Sequence, residues 1–92
     1  MKIVTAYKWT MPFGYGFTWY RTIFVKEGIT RHERNYVIAH EACHVIQWRE
    51  AGKYKFPFLY LKELFKNGYR NNKYEVEARA YGEKHRNLYR IY

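Results

Sequence analysis

Residues 40 to 44 read His-Glu-Ala-Cys-His, two imidazoles four positions apart with a carboxylate directly after the first. In a helix a four-residue step turns about 400°, so both rings would share one face, roughly 5 to 6 Å apart. One nitrogen of each could then reach a single ion at about 2.0 to 2.1 Å. Glu41 would stand about 100° round the helix, a poor position for a third ligand but a good one for taking a proton from water at an open coordination position. The pattern predicts His40 and His44 as zinc ligands and Glu41 as the general base of a hydrolytic reaction. A catalytic zinc also needs a third protein ligand. Cys43 points away on the same helix and reads as a small buried hydrophobe. His32 and His85 remain as possible ligands, as does Glu75, which sits in the run Asn72-Lys73-Tyr74-Glu75-Val76-Glu77-Ala78. The bland alternatives are a structural or inactive metal site, surface positions for His32 and His85, and a capping role for Glu75.

These residues need elements to hold them. Thr30 and Glu33 have the spacing of a capping box, which predicts a helix starting there and running through Val37, Ile38, Val45, Ile46 and Trp48 to about Ala51, with Gly52 as its left-handed stop. Pro57 is suited to a first helical position and predicts a short helix to Lys66, ended by Asn67-Gly68. Asn72 and Glu75 repeat the cap spacing, and residues from Tyr74 to about Tyr89 mix acidic, basic and aromatic side chains as a third helix would. Upstream, Lys2 to Trp9 and Phe17 to Val25 are rich in β-branched and aromatic residues, and Met11 to Gly16 reads as a turn, so a hairpin is the simplest joint. The expected fold is α+β: a small N-terminal hairpin or sheet packed on the helix carrying His40, Glu41 and His44, then a short helix and a C-terminal helix. No repeat or linker divides residues 1–92, which predicts one domain.

With those elements in place, H-E-x-x-H followed some thirty residues later by E-x-x-A, with a strand upstream, resembles the gluzincin zinc peptidases. The smallest members, the minigluzincins, are the most similar. The resemblance covers about residues 17 to 86. It implies a metallopeptidase with one zinc per chain, His40, His44 and Glu75 as ligands, Glu41 as general base, and a peptide substrate extended along residues 17–25. Glu77 would point elsewhere. The family usually continues E-x-x-A-D, where the aspartate supports a ligand histidine; Arg79 stands here instead. The support of one ring is thus expected from a backbone carbonyl or another Glu, or the site is weakened. Arg79 shares the Glu75 side of the helix, where a cation would stabilise transition-state charge.

Composition narrows the alternatives. The chain has no Ser and no Asp, which excludes serine triads and aspartic dyads, and its one cysteine excludes an internal disulfide. A reducing, cytoplasmic setting is expected, with no membrane span. Aromatics make up 22% of the residues, including eleven Tyr, so large rings are expected to fill the core. The net charge of +9 attracts acidic or nucleic-acid partners, and rings interleave with basic residues at Tyr69, Arg70, Lys73 and Tyr74 and again at Arg86, Tyr89, Arg90 and Tyr92. Rival readings are a regulatory peptidase of the repressor-cleaving type and a basic nucleic-acid-associated module. A domain this small leaves a shallow cleft, which the segment after Arg86 could cover or exchange in a homodimer.

Overall fold

Period-two alternation places Ile23 and Val25 on one face of a strand, and both are buried there against the central helix. The computed structural model describes residues 2–6 and 16–89. Within these the fold is α+β, a three-stranded sheet followed by three helices: β1 (Lys2–Ala6), β2 (Gly16–Trp19), β3 (Thr22–Lys26), α1 (Arg31–Ala51), α2 (Lys55–Asn71) and α3 (Lys73–His85), with a short 3-10 turn over Arg86–Tyr89. No helix among the described residues is long and apolar enough to cross a membrane.

The sheet departs from the expected arrangement in two ways. Phe17 to Val25 is not one strand: it folds back at Tyr20-Arg21, pairing Trp19 with Thr22 in an antiparallel hairpin. Tyr20 has φ 56, left-handed backbone that a side chain of its size rarely adopts. The N-terminal strand does not form a hairpin with its successor. It lies parallel to β3, Ile3 opposite Ile23, giving the order β1-β3-β2. Residues 7–9 of the expected first strand and residues 11–15 of the expected turn lie outside the described residues.

The helices follow their caps closely. The Thr30 hydroxyl accepts from Glu33 N at 3.2 Å, and Gly52 (φ 109) ends α1 with its N–H on the Trp48 carbonyl. Helix α2 begins before Pro57 and runs past Lys66, yet Gly68 (φ 76) breaks its helical geometry where the stop was expected. Asn72 caps α3, its Oδ1 accepting from Tyr74 N at 2.9 Å. The third helix ends at His85, so the stretch to Tyr89 is a 3-10 turn rather than its continuation.

The core is chiefly aliphatic: Ile23, Val25, Val37, Ile38 and Ala42 pack together, with Ile3, Ile29, Val45 and Tyr81 around them. Trp48 and Phe56 are buried, as the expectation of core rings had it, but they stand outside this cluster. The rings instead form a second layer, in which Trp48 meets Trp19 edge-on at 5.2 Å and Phe56 at 5.1 Å, and Phe56 meets Tyr74 at 5.2 Å. Tyr54, Trp19 and Tyr69 are exposed. One glycine is fixed by close approach: a Cβ on Gly16 would lie 2.5 Å from Val37 Cγ1 and 3.0 Å from Glu41 Cγ, so only glycine brings β2 this close to α1.

Candidate metal centre

Helix α1 carries His40, Glu41 and His44 on adjoining turns, and α3 brings Glu75 against them in its first turn. Glu75 Oε1 lies 3.0 Å from His40 Nε2 and 3.3 Å from His44 Nε2. The rings meet edge-on with centroids 5.1 Å apart. One ligand atom from each of the three side chains falls within 4.8 Å of the others, and this buried group could hold a metal ion. Two expected roles competed for Glu75. Its carboxylate does not close a capping box, because the Asn72 N–H bonds the Tyr69 carbonyl at 3.3 Å instead.

The donor set fits a cation. His44 Nδ1 faces Gln47 Oε1 at 2.8 Å, and its Nε2 faces a carboxylate oxygen. A neutral imidazole has one N–H, so acceptors on both sides leave one acceptor-to-acceptor contact that a proton or a metal ion must relieve. In a tetrahedral zinc site with ligands at about 2.0 to 2.1 Å, neighbouring ligand atoms stand ~3.3 Å apart, close to the 3.0 and 3.3 Å from Glu75 Oε1 to the two imidazoles.

Electrostatics agree with this geometry. Burial would raise the Glu75 pKa, but hydrogen bonds with His40 and His44, the charge of His44 and a bond from Tyr60 outweigh it, holding the carboxyl well below the usual range. Burial disfavours charge on His44, yet the Glu75 hydrogen bond and the charges of Glu41 and Glu75 leave its pKa raised. Glu41 is raised by burial, against the lowering effects of both histidines and of the Thr18 hydrogen bond. Its Oε1 accepts from the Thr18 hydroxyl at 2.9 Å, and its Oε2 stands 4.0 Å from His40 Nε2. A carboxylate raised by desolvation and set beside both histidines accepts a proton more readily than a solvated one, as a general base must.

Three supporting residues were missed from the sequence. Thr18 orients Glu41 from β2; its signal was the inward register of Thr18 with Ile23, hidden by the unrecognised hairpin. Tyr60 Oη donates to Glu75 Oε2 from α2. Gln47 sits one turn beyond His44, a spacing readable in advance. Its Nε2 donates to the Tyr74 carbonyl and to Glu77 Oε1, each at 3.0 Å. Glu77, expected to point away from the metal group, is exposed but holds this bond and also accepts from Cys43 Sγ at 3.7 Å. Cys43 is buried, its thiol pushed up to about 12 by burial and the Glu77 carboxylate, and it lies outside the metal group.

The expected support of a ligand ring by a backbone carbonyl or another Glu is not found at His40, whose Nδ1 is buried with no hydrogen-bond partner among the described residues. Arg79 instead donates to the Arg70 carbonyl oxygen. His32 contacts Arg86, and His85 packs on Tyr81 at 4.4 Å, so neither joins the cluster.

A cavity of about 370 Å³ opens over Glu41, His44 and Glu75. β2 forms one wall through Gly16 to Trp19, and Phe56, Pro57, Tyr60 and Leu61 of α2 face it. Comparison of the chain with protein-family models, with curated proteins and with solved structures gives no match.

Proposed function

We propose that the chain is a zinc-dependent peptidase of the gluzincin kind. The observation that carries this reading is the convergence of His40, His44 and Glu75, from two helices, beside a buried carboxylate at the floor of an open cleft. A zinc ion held by those three side chains would supply Lewis-acid polarisation of a carbonyl and a water of lowered pKa.

The chain's own residues do the rest. Glu41 takes a proton from the attacking water as its oxygen bonds to the peptide carbon, then delivers that proton to the departing amide nitrogen as the C–N bond breaks. The Thr18 hydroxyl keeps one carboxylate oxygen of Glu41 engaged, which leaves Oε2 free for that transfer. β2 is an outer strand of the sheet and lines the cleft, so an extended peptide would pair along residues 16–19 rather than all of 17–25. Apolar walls at Phe17, Trp48, Phe56 and Leu61 favour a bulky apolar side chain next to the scissile bond.

Replacing Glu41 with Gln tests the reading. Zinc content should stay at one ion per chain while hydrolysis of an unfolded protein falls by at least ~10³-fold. Undiminished hydrolysis would rule out Glu41 as the base, and a wild-type chain that retains no zinc would remove the reading altogether.

A further inference from the structure

We propose that Gln47 is a positioning residue whose side-chain amide draws a proton of His44 to Nδ1 and, at its other end, clamps the turn of α3 that carries Glu75 onto α1. The inference rests on the metal reading of the cluster and concerns how this chain orders its ligands before an ion arrives.

The amide's orientation is dictated by its neighbours. Gln47 is buried, and its Nε2 lies 3.0 Å from the Tyr74 carbonyl oxygen and 3.0 Å from Glu77 Oε1. Both of those groups only accept, so the NH2 end must face α3; turning the amide over would set its oxygen against two acceptors. Oε1 then faces His44 Nδ1 at 2.8 Å. An amide oxygen also only accepts, so this contact requires hydrogen on Nδ1. The Glu75 carboxylate competes for that hydrogen at Nε2, and where a cation replaces the proton there Nε2 keeps its lone pair. That lone pair points to the place shared with His40 Nε2 and Glu75 Oε1.

The two acceptors bracket the third ligand in the sequence, Tyr74 immediately before Glu75 and Glu77 two residues after it. Every displacement of α3 that moves Glu75 therefore strains the bonds that orient His44. One amide couples the tautomer of a ligand on α1 to the placement of a ligand on α3. His40 has no such partner at Nδ1 among the described residues. The two imidazoles are thus unequally prepared, and His44 is the ordered one.

The test uses the full chain without metal, at an alkaline pH where His44 is neutral, and reads its two ring nitrogens by long-range proton–nitrogen NMR. The wild type should show a larger share of hydrogen on Nδ1 than Gln47→Leu, in which only Glu75 is left to hold it, on Nε2. Zinc affinity, measured by competition with a chromophoric chelator, should fall about 10 to 100-fold in Gln47→Leu. Glu77→Gln keeps an oxygen able to accept from Gln47 and should retain wild-type affinity, whereas Glu77→Ala should lose several-fold. If Gln47→Leu does not fold, the comparison of Glu77→Ala with Glu77→Gln carries the test, in zinc affinity and in the share of hydrogen on Nδ1. An equal share of hydrogen on Nδ1 in the wild type and Gln47→Leu, or zinc affinity unchanged in both Gln47→Leu and Glu77→Ala, overturns the proposal. The tautomer is read without metal, so failure of the wild type to bind zinc would overturn the peptidase reading and leave the NMR result standing as a separate outcome.

Discussion

Tyr60 Oη stands 2.5 Å from Glu75 Oε2, while the other oxygen of the same carboxylate faces both imidazoles. The phenol comes from α2, so all three helices contribute to the cluster. Burial and the adjacent Glu75 raise the Tyr60 pKa, which keeps it a hydrogen donor at any ordinary pH. By occupying Oε2, it leaves Oε1 as the oxygen open to a cation.

Tyr60→Phe removes that donor and leaves a buried carboxylate oxygen short of a partner, at a cost of about 1 to 3 kcal/mol. Chemical denaturation should show the loss of stability, and chelator competition should show zinc binding weakened by ~10-fold. Stability and affinity equal to wild type would mean that the contact has no energetic role.

Glu41→Gln should stabilise the metal-free protein at neutral pH. The folded pKa of Glu41 is raised, so its contribution to stability is present below the ordinary carboxylate value of 4.5 and is lost as pH rises through the folded pKa. The amide carries no such penalty, and every tenfold weakening of the carboxylic acid on folding corresponds to about 1.4 kcal/mol at neutral pH. Melting curves in chelator should separate the two proteins at pH 7 and bring them together in acid. A variant that melts below wild type at neutral pH would show that ionised Glu41 stabilises the fold, the opposite of what its burial implies.

Zinc should raise the melting temperature. At a free concentration one hundred times the dissociation constant, linkage contributes about 2.7 kcal/mol, or ~10 to 20 °C in a domain of this size. Glu75→Gln should lose most of that increment. Scanning calorimetry with and without zinc measures both, and an equal increment in the variant would remove Glu75 from the ligand set.

Gly16→Ala would place a methyl group 2.5 Å from Val37 Cγ1. Either β2 or α1 must shift, at a cost of ~1 to 3 kcal/mol. The ligands lie on α1 and α3, so zinc binding should survive. Peptide hydrolysis should drop, because Thr18 and Glu41 move apart. Full activity together with reduced melting temperature would show that the shift spares the Thr18–Glu41 bond.

The bounds of α1, the start of α3 and the grouping of His40, His44 and Glu75 were legible because local chemistry specifies them. Thr30, Gly52, Asn72 and the interruption at Gly68 are each visible in a few residues of sequence. The spacing of His40 and His44 fixes a shared face in any helix, and the grouping with Glu75 was reached through its E-x-x-A context. The sheet was misread because its turn lacks the usual signal: Tyr20-Arg21 offers neither Gly nor Asn at a position that adopts φ 56. Tertiary contacts override such preferences, and the ring of Tyr20 lies 5.2 Å from both the Arg21 guanidinium carbon and Lys53 Nζ. The supporting contacts of Gln47, Thr18 and Tyr60 depend on which elements pack together, and that information is spread along the chain. The aromatic residues misled for a similar reason, since composition does not say whether a ring fills the interior or walls a cleft.

The parallel pairing of β1 with β3 also bears on the order in which the chain assembles. The β2–β3 hairpin closes through two residues, whereas Lys2 must find Thr22 across a loop of nearly twenty. Loop-closure entropy favours the hairpin first, so the strand that leaves the ribosome earliest docks last. Native-state hydrogen exchange should therefore find the β1 amides opening at lower free energy than the hairpin amides. Equal protection of the two would mean that the sheet forms in a single step.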